Sequence, residues 1–273
     1  MQCSNHLKQI GVACLNYESS YGVFPPGGIT EGPCCSTMSR TNWAISILPY
    51  MEMTSLYEKY DMTVYNESWQ NKPVREARVA AYICPSEQEV EELDYPESGP
   101  GSGLLYHRGS YRAVGGRTIG TSTKWWDGSQ EADMGIDVGW RGIMHSIGYT
   151  KGTGCVKVSE ITDGTSNTLM VGEMTTVTHK NRRTFWAYTY TSYNMSVATP
   201  QSRILLGDYD LCDRIGGAGG SNPCKRAFGS EHPQGINFVL GDGSVRIIPK
   251  DIDIWLFCGL CSIAGGEMEK MPD

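Results

Sequence analysis

The stretch from Cys3 to Tyr21 constrains this chain more than any other. Cys3, Leu7, Ile10, Cys14, Tyr17 and Tyr21 recur at spacings of 4, 3, 4, 3 and 4, one stripe of an α-helix. Asn5, His6, Lys8, Gln9, Asn16 and Glu18 form a polar back. The spacing predicts a helix over residues 3–20 that must cover one face, with Leu7, Ile10, Cys14 and Tyr17 buried and Lys8 and Glu18 exposed. Ser4 or Asn5 would cap it, yet nothing forces a start there, and the stripe reads as though it continued upstream. It stops at Tyr21-Gly22, because Phe24-Pro25-Pro26-Gly27-Gly28 cannot be helical.

A chain of 273 residues is long enough for one to two domains at roughly 150 residues each. Its 23 basic and 30 acidic residues leave a net charge of −7. The only tight basic cluster is Lys180, Arg182 and Arg183, so the broad basic face of a nucleic-acid binder is missing. No apolar run reaches the roughly 18 residues of a membrane span; Trp43 to Met51 comes nearest and is broken by Pro49. No signal peptide is visible either. Ten cysteines stand against that missing export signal. A zinc framework would need paired CxxC motifs or histidine pairs, and only Cys258 and Cys261 form a CxxC. An exported, disulfide-bonded protein is the better reading. At least two disulfides are expected. Cys212 and Cys224, which flank the loop Gly216 to Asn222, are the nearest local pair. Cys3 and Cys14, about 16 Å apart on one helix, cannot join each other.

Beyond the first helix, residues 42–61 read as helical, and Pro73 opens a short helix to Ala80. A brief strand Ala81–Cys84 follows, and residues 86–103 read as an exposed acidic loop. From Tyr106 onward, short strands alternate with Gly-rich turns; 33 glycines favour such a layout. Ser110–Val114, Thr168–Glu173, Thr184–Tyr193 and Arg203–Leu206 are the strand candidates. The segment Ile236 to Ile248 reads as a hairpin around Asp242-Gly243, the preferred pair for a two-residue type I′ turn. That turn pairs Leu240 with Val245 and Phe238 with Ile247, and puts Ile236, Phe238, Leu240, Val245 and Ile247 on one buried face. A final helix follows around Ile252 to Leu260. There is no internal repeat.

Chemistry has few anchors. His232 and Asp242 would suit a metal site or a base with its orienting acid, with His107 and His145 as further members of a metal-dependent hydrolase. The turn already accounts for Asp242, however. Asp163 and Glu173 suit calcium, while Asx and Ser/Thr turns explain the Asp163–Thr168 segment equally well. Cys258 and Cys261 read as a structural disulfide, a redox pair or two buried thiols. Trp125, Trp126 and Trp140 suggest either core or an exposed platform for a glycan or protein partner. No GxSxG elbow, HExxH pair or Walker loop is present.

Several strings, in order, resemble a bacterial prepilin-like family with a C-terminal His-x9-Asp-Gly signature. They are Cys3-Ser4-Asn5-His6-Leu7-Lys8-Gln9-Ile10-Gly11, Asn16-Tyr17, and Tyr21 through Gly27; then Trp43 through Glu52 with Leu56-Tyr57, and Cys84-Pro85-Ser86. Asp163-Gly164-Thr165-Ser166-Asn167-Thr168 with Gly172-Glu173 follows, then His232-Pro233-Gln234-Gly235 through Asp242-Gly243-Ser244-Val245-Arg246, and Gly265-Gly266-Glu267. Gln234, the extra cysteines and residues 86–109 and 115–155 depart from the family pattern.

The resemblance implies an α+β, pilin-like fold over residues 1–273, an N-terminal helix on a mainly antiparallel sheet with long loop insertions. Residues 1–22 would be the second half of a pilin helix, 23–105 a helical and loop insertion, and 106–273 a sheet-rich part with the hairpin 236–248. It further implies a non-catalytic structural subunit of a type IV pilus, type II secretion pseudopilus or cell-surface assembly, with no cofactor. Its partners would be other pilin-like subunits or secretion components and, through a helix upstream of Met1, the inner membrane. The chain would then face the periplasm or the cell surface. His232, Asp242, Gly243, Asp163, Gly164, Ser166, Asn167 and Glu173 would be structural motif residues.

Overall fold

The helical stripe becomes α1, Gln2–Tyr21, in a computed structural model that describes residues 2–32, 37–87, 92–119, 125–127, 136–148, 154–175 and 182–266. Cys34, Cys35, Lys180 and Glu267 lie outside the described residues. Cys3, Leu7, Ile10, Ala13 and Cys14 are buried and Lys8 is exposed, as the spacing predicts; Tyr17 is half-buried rather than buried, and Glu18 half-buried rather than exposed.

In chain order there follow β1 (Gly28–Thr30), β2 (Ser39–Asn42), α2 (Trp43–Ser46), α3 (Thr54–Tyr57), α4 (Lys72–Arg75), β3 (Leu93–Asp94), β4 (Tyr106–Gly109), β5 (Tyr111–Arg117) and β6 (Ser146–Gly148). Then come β7 (Leu169–Glu173), β8 (Thr184–Phe185), β9 (Met195–Ala198), α5 (Tyr209–Ile215), α6 (Asn222–Lys225), β10 (Ile236–Leu240), β11 (Val245–Ile248) and α7 (Ile254–Leu260). The class is α+β. The largest sheet runs β11-β10-β7-β5-β9, flanked by the three-stranded sheets β2-β1-β6 and β3-β4-β8. Every ladder is antiparallel except β1–β6 and β5–β9. Among the described residues, no helix is long and apolar enough to cross a membrane.

Register explains how the large sheet is covered on both faces. Val239 pairs with Val171, and Val171 with Ala113. Side chains alternate along a strand, so these three line up and meet the Leu7–Ile10–Cys14 stripe of α1 in one core cluster. Phe238, one residue away, points to the other face, where Phe228 and Phe257 of α7 enclose it. Asp253 caps α7 by accepting from the Trp255 and Leu256 N–H groups at 2.9 and 3.0 Å. The result is helix, sheet and helix in three layers.

The hairpin sits where the sequence places it, but its register differs by one residue. Val239 pairs with Val245, Phe238 with Arg246 and Asn237 with Ile247. Leu240 closes the loop by donating to the Ser244 carbonyl at 2.9 Å, while Gly243 N–H returns to the Leu240 carbonyl at 2.9 Å. Gly241, Asp242 and Gly243 thus form a three-residue loop in which only Gly243 needs positive φ, at 76°, and not a type I′ pair. One extra loop residue reverses faces across the second strand. Ile247 is consequently 51% exposed, and Ile248 is buried instead.

Other expectations are corrected in the same way. Ala81–Cys84 is not a strand: Ala80–Tyr82 make a 3-10 turn, and the Tyr82 carbonyl accepts from Ser110 N–H at 2.8 Å without a ladder. Arg203–Leu206 is not a strand either: Ser202–Leu205 make a 3-10 turn, whose Arg203 guanidinium donates to the Ala218 and Gly220 carbonyls of the Gly-rich loop. The candidate Thr184–Tyr193 keeps strand geometry only over Thr184–Phe185. β1, within residues 23–105, pairs in parallel with β6.

Two disulfides are present among the described residues. Cys212–Cys224 joins α5 to α6, as expected, and Cys3–Cys84 joins α1 to the turn after Tyr82. Cys258 and Cys261 are separate buried thiols rather than a bonded pair.

Candidate functional site

Several of the motif segments converge on α1. At mid-helix, Gly11 lets the hairpin approach, for a β-carbon there would lie 2.5 Å from Val239 Cγ2. Lys8 Nζ donates to the Gly243 carbonyl at 2.7 Å. The Asp163–Thr168 segment packs behind the same loop. The Asp242 and Gly241 N–H groups donate to the Thr165 and Thr168 carbonyls at 3.1 and 2.9 Å. Asn167 Nδ2 donates to the Asp163 carbonyl, and Thr168 Oγ1 to that of Gly164. Ser166 is exposed.

At the start of the helix a second convergence forms. The pairing Phe238–Gly172 places Glu173 beside Asn237, and Asn237 donates to it from its backbone N–H at 2.8 Å and its amide at 2.9 Å. Glu173 is fully buried. His232, whose side chain is 19% exposed, brings Nε2 to 3.3 Å from Glu173 Oε1 and 3.7 Å from Cys84 Sγ. Cys3 Sγ, Cys84 Sγ, Glu173 and His232 offer ligand-type atoms that all lie within 4.8 Å of one another. Tyr111 donates to the Cys3 carbonyl at 3.2 Å, and His6 Nδ1 donates to the Ile83 carbonyl at 2.8 Å.

The turn carrying Cys84 is held from below. Ser110 Oγ accepts from Cys84 N–H at 2.9 Å and donates to Glu87 Oε2 at 2.5 Å. Burial pushes the Glu87 carboxyl up to about 8, against a smaller downward pull from the Ser110 hydrogen bond.

The structure separates several residues that the sequence grouped. His232 meets Glu173 and not Asp242, whose Oδ1 accepts from Ser244 N–H and Oγ at 2.8 and 2.6 Å. Asp163 and Glu173 serve different places, since Asp163 Oδ2 accepts from Gly265 N–H at 2.8 Å. His107 Nδ1 and His145 Nδ1 turn to the Arg108 and Gly142 carbonyls. Cys258 and Cys261 are desolvated, which raises both thiols, Cys258 to about 12, and makes them poor nucleophiles. Trp125 and Trp126 are buried, not displayed; Arg226 covers Trp125 at 4.4 Å, and Arg117 covers the half-buried Trp140 at 4.3 Å. The large exposed indoles are Trp69 and Trp255.

Sequence reasoning missed the Cys3–Cys84 bond, the Glu173–His232 contact, Asn237 and the Ser110–Glu87 support. No local pattern signals them, because 148 residues separate Cys84 from His232. The resemblance strings did contain Cys3, Cys84, Glu173 and His232 as unconnected pieces.

Comparison with curated proteins and with solved structures gives no match. A family model does match, over residues 1–254. The chain therefore belongs to the family described as protein of unknown function DUF1559.

Proposed function

We propose that this protein is a non-catalytic structural subunit of a pilus-like, pseudopilus-like or cell-surface assembly. The observation that carries this reading is the use of its motifs. Cys84, with His232 and Glu173 beside it, ties the start of α1 to the turn after Tyr82 by a disulfide, and Gly243 with the Asp163–Thr168 segment behind it holds the hairpin loop against the middle of the helix. An exported subunit that passes load from a helix to a globular part needs that attachment. The two disulfides agree with an oxidising compartment. A glycan platform gains no support at Trp125 and Trp126, which are buried.

Fractionation of the producing cells, with non-reducing peptide mapping, tests the proposal. The protein is expected in membrane or sheared-surface fractions with Cys3–Cys84 and Cys212–Cys224 oxidised. Recovery from the cytosol with those four thiols free would overturn it.

A further inference from the structure

We infer that opening the Cys3–Cys84 disulfide converts this cluster into a four-ligand site for a zinc-class divalent ion, with Cys3 Sγ, Cys84 Sγ, His232 Nε2 and a Glu173 carboxylate oxygen as ligands. The site rests on geometry and not on the assembly reading. Zinc bonds of about 2.0–2.3 Å in a tetrahedron give ligand–ligand edges of about 3.3–3.8 Å. His232 Nε2 already lies 3.3 Å from Glu173 Oε1 and 3.7 Å from Cys84 Sγ. All four atoms fall within 4.8 Å of one another, so the two sulfurs must part from bonded to non-bonded contact and the longer edges must shorten toward the tetrahedral value.

Direction supports the same reading. A general base with its orienting acid would receive the carboxylate on the nitrogen opposite the thiol. Here Glu173 and Cys84 both face Nε2, as ligands round a common centre do. Glu173 is in turn oriented by two donors from Asn237, a supporting arrangement typical of metal sites. His232 is half-buried, and Pro85 and Ser86, next to Cys84 in sequence, are exposed.

The chemistry balances with a dithiol or phosphine reductant. Two electrons and two protons open the S–S bond to two thiols while the reductant is oxidised. Ion binding then releases both thiol protons to solvent, and the four ligands carry three negative charges against the two of the ion.

The test is an anaerobic Co2+ titration of the whole chain after reduction, followed by displacement with Zn2+. Reduced protein should show sulfur-to-cobalt charge-transfer absorption that Zn2+ abolishes, and oxidised protein should show none. C3S/C84S, which retains Cys212, Cys224, Cys258 and Cys261, should lose the band. His232→Ala keeps both thiols, and in its oxidised form the disulfide, so it reports even where C3S/C84S does not fold; its Co2+ affinity should fall by at least about tenfold. No band in the reduced wild type, a band that survives in C3S/C84S, or an affinity unchanged by His232→Ala would each overturn the inference.

Discussion

Lys8 and Gly243, 235 residues apart in sequence, are joined by a 2.7 Å hydrogen bond from the lysine ammonium to the glycine carbonyl. The contact exists because Gly243 turns at φ 76° directly against α1, where a β-carbon would lie 2.8 Å from Leu15 Cδ1. Gly243→Ala should therefore cost about 1–3 kcal/mol through its strained backbone alone, and more where Leu15 cannot move. Asp242→Ala, which removes the Ser244 bonds but keeps the backbone path, should cost about 1 kcal/mol. Urea denaturation of both variants checks the order; equal losses would show that the approach to α1 is not what constrains the loop.

The two disulfides should differ in worth. Cys3–Cys84 spans 81 residues and Cys212–Cys224 spans 12. Chain entropy alone assigns about 4.5 kcal/mol to the first and about 3 kcal/mol to the second. C3S/C84S should thus lower Tm more than C212S/C224S in the absence of added metal. A larger loss from the smaller loop would mean that α5 and α6, with only a minor core between them, depend on their bond for folding.

The parts of this fold that were legible in sequence are those governed by local periodicity. The α1 stripe works because a 20-residue helix packs one face on one sheet. The hairpin was legible in place but not in register. Asp-Gly serves both a two-residue turn and the last two positions of a three-residue loop, and local composition does not choose between them. The candidate site was legible only as fragments. Glu173 reaches His232 through the β7–β10 ladder, and Cys84 arrives through a 3-10 turn that imitates a strand in composition. The Trp residues misled because a buried indole and a stacking platform share one composition, and Arg226 and Arg117, which cover two of them, are distant in sequence.

His145 should make the fold sensitive to acid. Burial, with a smaller contribution from the Arg141 charge, lowers the imidazole from 6.5 to about 3. The unfolded chain takes up a proton as pH falls below 6.5 and the folded chain does not, so stability present above 6.5 drains away between 6.5 and about 3. The slope contributed approaches about 1.4 kcal/mol per pH unit. Thermal melts of His145→Gln should show a shallower acid decline than wild type, whatever the variant's baseline cost; parallel declines would place the acid sensitivity elsewhere.

Glu87 should act in the opposite direction, in the disulfide-bonded protein. Its carboxyl rises from 4.5 to about 8 because it is buried, so the folded chain holds a proton that the unfolded chain releases between those values. Stability contributed by this group is full below about 4.5, falls as pH rises through the interval, and levels off above about 8. Glu87→Gln presents an uncharged acceptor to the Ser110 hydroxyl at every pH, so its melting curve should lose the decline toward alkaline pH and cross above wild type by about pH 9. Glu87→Ala also removes the charge but leaves the Ser110 hydroxyl without its acceptor, and should cost about 1–3 kcal/mol at neutral pH. With His145 draining stability on the acid side and Glu87 on the alkaline side, wild-type Tm should peak in mildly acidic buffer. A Glu87→Gln profile that runs parallel to wild type from about pH 5 to about pH 9 would show that this carboxyl is ionised in the fold.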